Sequence, residues 1–209
     1  MKKSSILYIA SQSKSRHDLL RAMGVDFRVL THASSEEETD MTLPFAEYVM
    51  AIATHKMDNV MLPSLQEVRQ PSLFVLTADT LIRTMGSHEV LGKPKDYNDA
   101  RRMIRLLREE GVEVMTGCCV RKYQQQANGW KLEAERLWST GAYVEYIIDE
   151  ALVDWYFQKM PHALQVCAGC MIEGVGQLFL KRIDGSYSAT LGLPLFELRQ
   201  ELIDLDFEF

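Results

Sequence analysis

A few serines, four cations and an aspartate set the chemistry open to this chain. The stretch Ser11-Gln12-Ser13-Lys14-Ser15-Arg16 places hydroxyls and two cations after the apolar run Ile6-Leu7-Tyr8-Ile9-Ala10 and ahead of Asp18-Leu19-Leu20. A strand, a short loop and then a helix aim backbone N–H groups and the positive end of a helix dipole at one spot, where hydroxyls and cations suit phosphate. The same residues also fit a plain helix start. Ser15 and Asp18 have capping-box spacing, and Ser11 and Ser13 would then be loop residues. Asp79 follows Leu73-Phe74-Val75-Leu76-Thr77-Ala78, an apolar run typical of a strand covered on both faces. A carboxylate at the carboxyl end of a central strand stands where open α/β sheets bind ligands, and an Asx turn is its other role. Lys56 closes a helical stripe of Phe45, Val49 and Ile52. That helix alone favours a lysine snorkelling to solvent over one reaching into a cleft. Lys93, between Gly92 and Pro94, sits on a constrained backbone that suits either a fixed phosphate contact or an exposed turn.

The elements that must position these groups alternate between strand and helix. Ile6 to Ala10 reads as a strand, and a helix ends at Met23 before Gly24. Asp26 to Leu30 reads as a second strand, followed by the acidic loop Thr31 to Asp40. Pro44 opens the helix that carries Lys56. Val60 to Gln70 is a short helix or loop interrupted by Pro63. The strand Leu73 to Ala78 ends in Asp79-Thr80, and Asn98 to Glu110 is a helix with Ala100, Met103, Ile104 and Leu107 inward and arginines on a solvated face. Strands are predicted at Val112 to Val120, Trp130 to Trp138, Ala142 to Ile148 and Gln177 to Ile183, with Asn128-Gly129 turning a hairpin. Asp149 caps a helix that presents Leu152, Trp155 and Tyr156, whose aromatics read as core in preference to a base-stacking platform. Asp184 to Ser188 makes a turn, and Leu195 to Ile203 is a closing helix.

Composition narrows the function classes. A chain of 209 residues with 47% hydrophobic and 25% charged residues is an ordinary globular α/β protein, read here as a single domain over residues 1–209. A formal net charge of −6 argues against a polymeric nucleic-acid partner and leaves room for a small anion in a local basic pocket. No apolar run approaches the roughly 20 residues of a membrane span, and no signal peptide is expected, so the expected location is the cytoplasm. Cys167-Ala168-Gly169-Cys170 pairs with an adjacent Cys118-Cys119, which lacks zinc-ligand spacing. Buried free thiols are the expectation.

Taken in order, these pieces resemble the Maf family of nucleoside triphosphate pyrophosphatases, once described as septum-formation proteins. The resemblance rests on Ser11, Ser13, Arg16, Leu19 and Leu20, on Glu47-Tyr48-Val49 with Lys56, and on Ala78-Asp79-Thr80. It continues through Gly92-Lys93-Pro94 with Asp99-Ala100, Thr116-Gly117, Gly185-Ser186-Tyr187 and Gly192-Leu193-Pro194. It implies an α/β fold with a long curved mixed sheet flanked by helices, and two lobes around a cleft. It also implies hydrolysis between the α- and β-phosphates of a nucleoside triphosphate with Mg²⁺ or Mn²⁺, in a homodimer.

Under that resemblance Asp79, Lys56 and Lys93 are catalytic. Ser11, Ser13, Lys14, Arg16 and Glu173 contact substrate, and Glu36 joins Asp79 at the metal. Two departures stand out. Lys14 and Ser15 replace the family's usual Pro and Arg or Trp, and Glu173 replaces a glutamine. Cys-Ala-Gly and Glu-Gly resemble members acting on 7-methylguanosine triphosphate, whereas Ala-Asp-Thr resembles members acting on dTTP and UTP. A glutamate facing the base favours a ring that donates hydrogen bonds or carries positive charge. The competing function is a nucleotide-binding regulator of cell division that has lost turnover.

Overall fold

The computed structural model describes residues 4–33, 42–68 and 70–209. Its elements are β1 (Leu7–Ile9), α1 (Lys14–Ala22), β2 (Phe27–Val29), α2 (Phe45–Asp58), β3 (Ser72–Thr84), β4 (Val90–Leu91) and α3 (Tyr97–Glu110). They continue with β5 (Val112–Gln126), β6 (Gly129–Tyr146), α4 (Val153–Lys159), β7 (Leu180–Gly185), α5 (Tyr187–Thr190) and α6 (Leu195–Asp204). Seven strands form one sheet in the order β2-β1-β3-β5-β6-β7, with β4 paired to β3. The sheet is mixed: β1 runs parallel to β2 and β3, while β3–β4 and β6–β7 are antiparallel. The expected α/β class with a mixed, helix-flanked sheet is what the chain adopts.

The chain divides into two compact units, both assembled from separated segments. The first takes residues 1–79, 116–140 and 192–209, and the second takes 80–115 and 141–191. In the first unit, strand alternation sorts the core onto two faces. Leu7, Ile9, Phe74, Leu76 and Ala78 meet Leu20 of α1 and Leu198 and Leu202 of α6. Tyr8, Leu73 and Val75 meet Ala53 and Met57 of α2 on the other face. In the second unit Ala100, Met103, Ile104 and Leu107, the stripe predicted for α3, pack with Val112, Val144 and Tyr156.

Several expectations need correction. β3 does not stop at Asp79 but runs on to Thr84, because Ile82 and Arg83 find partners in Leu91 and Val90 of β4. Asp79 is therefore no turn residue. The two strands expected at 130–138 and 142–148 are one, since Gly141 does not break the ladder. A Cβ there would lie 2.4 Å from the Val114 carbonyl oxygen, so the glycine permits close approach instead. Helix α1 is capped by Ser13, whose hydroxyl accepts from the Arg16 amide at 3.5 Å, and Asp18 pairs with Arg21 instead of boxing Ser15. Residues 65–67 form only a turn. β7 starts later than expected because Gly174–Leu178 coils into a 3₁₀ turn. Tyr156 is fully buried, whereas Trp155 and Leu152 face outward at 36% and 40% exposure, because the short α4 buries only one side. The arginines of α3 are not merely solvated: Arg101, Arg105 and Arg108 converge on Glu150. The thiols behave as expected for Cys118, Cys119 and Cys170, which are free and buried.

Gly117 stands at a close approach of strand and helix. A Cβ at this position would lie 2.4 Å from the Val49 carbonyl carbon and oxygen, so only glycine lets β5 and α2 approach this closely. Gly117→Ala is expected to cost about 1–3 kcal/mol of stability through overpacking, read as a lowered thermal midpoint. A midpoint unchanged from the natural chain would contradict this packing.

Candidate active site

In the first unit the site grows from the carboxyl ends of three parallel strands, the place where an open sheet exposes backbone groups not used in its ladder. Ser11 follows β1 and is 7% exposed. Its hydroxyl accepts from Arg16 Nη1 at 3.0 Å and from the Ser13 amide at 3.3 Å. The Arg16 guanidinium also donates from Nε to the Gly192 carbonyl at 2.8 Å, and His17 Nε2 contacts the Ser11 carbonyl at 2.8 Å. The serines are thus wired into the loop and are not filler. Ser13 caps α1 in place of the expected Ser15, and the helix N-terminus lies beside Ser11 and Arg16. A cavity of about 180 Å³ opens next to this loop, lined by Ser11, Gln12, Leu30, Thr31 and His32 from the ends of β1 and β2.

Lys56 and Asp79 meet in the interior. Lys56 Nζ donates to Asp79 Oδ1 at 2.5 Å, and the two residues are 7% and 9% exposed. The helix stripe alone favours snorkelling, and the structure overturns that reading because a carboxylate waits on β3. Pairing Ile9 with Leu76 puts Asp79 three residues further along β3, level with the loop that follows β1. Cys118, fully buried on β5, feels the positive charge of Arg16 and the negative charges of Glu197 and Asp79. Burial raises its thiol far above the ordinary range, with these charges as smaller contributions.

Lys14 is the first residue of α1 and is exposed. Lys93 and Glu173 belong to the second unit: Lys93 is exposed after β4, and Glu173 is half-buried just before a 3₁₀ turn. Glu36 lies outside the described residues. Sequence reasoning missed His17, Glu197 and the Gly192 carbonyl. Only Gly192 carried a signal, as part of Gly192-Leu193-Pro194. Among the described residues no group of three or more His, Cys, Asp or Glu could hold a metal. Mg²⁺ commonly binds through one or two carboxylates and completes its shell with phosphate oxygens and water, and Asp79 fits such a donor set.

The chain thus combines an α/β fold with a hydroxyl- and cation-lined loop and, in the same unit, a buried lysine–aspartate pair. The chain matches the Maf-like protein family over residues 6–205 and belongs to that family. It is 34% identical over 197 residues to a dTTP/UTP pyrophosphatase of Anaeromyxobacter sp. (strain Fw109-5), covering 94% of this chain and 87% of that protein. It is 33% identical over 198 residues to a dTTP/UTP pyrophosphatase of Geobacter sp. (strain M21), covering 95% and 94%. A dTTP/UTP pyrophosphatase of Caldicellulosiruptor bescii is 29% identical over 202 residues.

Removing one partner of a buried ion pair strands the other charge, at about 3–5 kcal/mol. Lys56→Met is therefore expected to be strongly destabilised, and Lys56→Met with Asp79→Asn to recover much of the loss. Thermal unfolding of the two single variants and the double variant checks this. Additive losses would contradict a direct pair.

Proposed function

We propose that the chain hydrolyses the bond between the α- and β-phosphates of a nucleoside triphosphate, giving the monophosphate and pyrophosphate. The observation that carries this reading is the buried Lys56–Asp79 pair in the same unit as the Ser11–Arg16 loop. A triphosphate brings roughly four negative charges, which are costly to desolvate without compensation. Arg16, Lys14 and the N-terminus of α1 supply positive charge to its phosphates, and Ser11 and Ser13 supply hydroxyls. Lys56 holds Asp79 Oδ1 and so orients the carboxylate. Asp79 takes the proton of the attacking water as its oxygen bonds to the α-phosphorus, and pyrophosphate leaves with the electrons of the broken bond. Mg²⁺ or Mn²⁺, bound by Asp79 and phosphate oxygens, with Glu36 as a further ligand, would neutralise charge on the phosphates.

Lys93 as a further phosphate contact and Glu173 as a base contact complete the assignment, as does a cytoplasmic homodimer. No helix among the described residues is long and apolar enough to cross a membrane. dTTP and UTP are the first substrates to test, because the relatives above carry that name. Glu173 favours a second reading, 7-methylguanosine triphosphate, since a carboxylate accepts from a base that donates. None of those relatives supports a regulator without turnover.

Pyrophosphate release is measured on dTTP, UTP, CTP, GTP and 7-methyl-GTP with Mg²⁺ or Mn²⁺. Asp79→Asn is expected to lower kcat by about 10²–10⁴-fold, the scale of a lost general base. Turnover unaffected by Asp79→Asn, or nucleotide binding with no turnover on any substrate, would overturn the proposal. If Glu173 reads a donating base, Glu173→Gln lowers kcat/KM for 7-methyl-GTP more than for UTP.

A further inference from the structure

The buried polar groups of the first unit include one that the proposed chemistry does not use. Thr77 is completely buried on β3, and its hydroxyl donates to the Ala53 carbonyl of α2 at 2.7 Å. Thr77 and Asp79 are two apart on a strand and so share a face, and Ala53 and Lys56 are three apart on a helix and do the same. Two contacts therefore join the same strand face to the same helix face. One ends on the backbone of α2, and the other is the lysine–aspartate pair. Lys56 lies about one helical turn beyond Ala53, and its long side chain spans the distance to the Asp79 carboxylate.

We propose that Thr77 is a positioning residue, whose hydroxyl fixes the height of α2 against β3 and thereby sets where Lys56 holds the Asp79 carboxylate. The role rests on the proposed function of that pair. A hydroxyl bonded to a main-chain carbonyl is short and has one rotatable bond, so it tolerates little sliding of the helix along the strand. The lysine side chain by itself would tolerate a good deal, because its four methylenes can re-extend to follow a displaced carboxylate. The Ala53 carbonyl lies inside α2 and also accepts from the helical amide four residues on. Thr77→Val therefore removes the pin without leaving a buried acceptor unsatisfied, and it keeps a strand-favouring side chain of similar shape.

The test compares Thr77→Val, Thr77→Ala, Thr77→Ser and Asp79→Asn by pyrophosphate release on the best substrate of the natural chain. Expected is a kcat lowered about 10–100-fold in the valine and alanine variants, the scale of a misplacement of about 1 Å, with KM changed less than about twofold. Thr77→Ser, which keeps the hydroxyl, should recover most of kcat. If the valine variant does not fold, the alanine–serine comparison carries the test. Asp79→Asn without turnover beside Thr77→Val or Thr77→Ala at natural kcat would overturn the positioning role and leave the proposed function intact. The same holds if serine fares no better than alanine. Turnover surviving Asp79→Asn would instead overturn the function, and the positioning role with it.

Discussion

An ammonium and a carboxylate are held together in the interior of the first unit, and much of that unit's architecture answers to this pair. Either charge alone would be expensive there, since desolvation of a single buried ion costs several kcal/mol even after relaxation. Lys56 on α2 and Asp79 on β3 must therefore arrive at the same place, to within the 2.5 Å of a direct contact. Meeting that requirement takes a helix that lies close against the sheet at a fixed height. Gly117 gives the close approach, because nothing larger than hydrogen fits against the Val49 carbonyl. Tyr8, Leu73 and Val75 then supply the apolar contacts for Ala53 and Met57 that make the approach favourable.

The other face of the same strands builds the Ser11–Arg16 loop, and it draws on a distant part of the chain. Arg16 is anchored to Gly192, so the segment leading into α6 helps shape a loop that begins at Ser11. That closing segment is itself secured: the Ser5 amide donates to the Glu208 carbonyl at 2.7 Å, and Lys122 pairs with Asp206 at 3.1 Å. Phe207 stacks edge-on against Phe74, with ring centres 5.1 Å apart. The result is a loop with a positive end from α1, hydroxyls from two serines and a cation fixed at two points.

The second unit holds ion pairs of a different kind. Arg101, Arg105 and Arg108 on α3 gather around Glu150, and Arg102 reaches Glu89 and Asp99, on side chains that are partly solvent-accessible. Pairs of this sort contribute little each, because water screens them and long side chains lose freedom in forming them. Desolvation pushes the Glu150 carboxyl up, and Arg101 and Arg105 together outweigh it and hold the group below its ordinary value. One buried pair thus constrains backbone placement more than several exposed ones do. Number is a poor guide to which charges matter.

The sequence by itself determined the elements and their chemistry. The apolar run before Asp79, the helical stripe ending at Lys56, and Gly24 and Gly129 at their turns are local patterns, set by strand and helix periods and by backbone sterics. The family was legible for the same reason: its motifs are short and sit on such patterns. Other features were decided only by the folded chain. Lys56 was a snorkelling lysine until β3 supplied Asp79, because a buried charge is stable only where a distant partner meets it. β3 outran its apolar run, and the two predicted strands of β6 fused, because a ladder is extended by its neighbours and not by its own residues. Ser13 rather than Ser15 became the cap once Ser11 was tied to Arg16. Thr77 read as an ordinary strand residue, since nothing in a sequence reveals which main-chain carbonyl a hydroxyl will face.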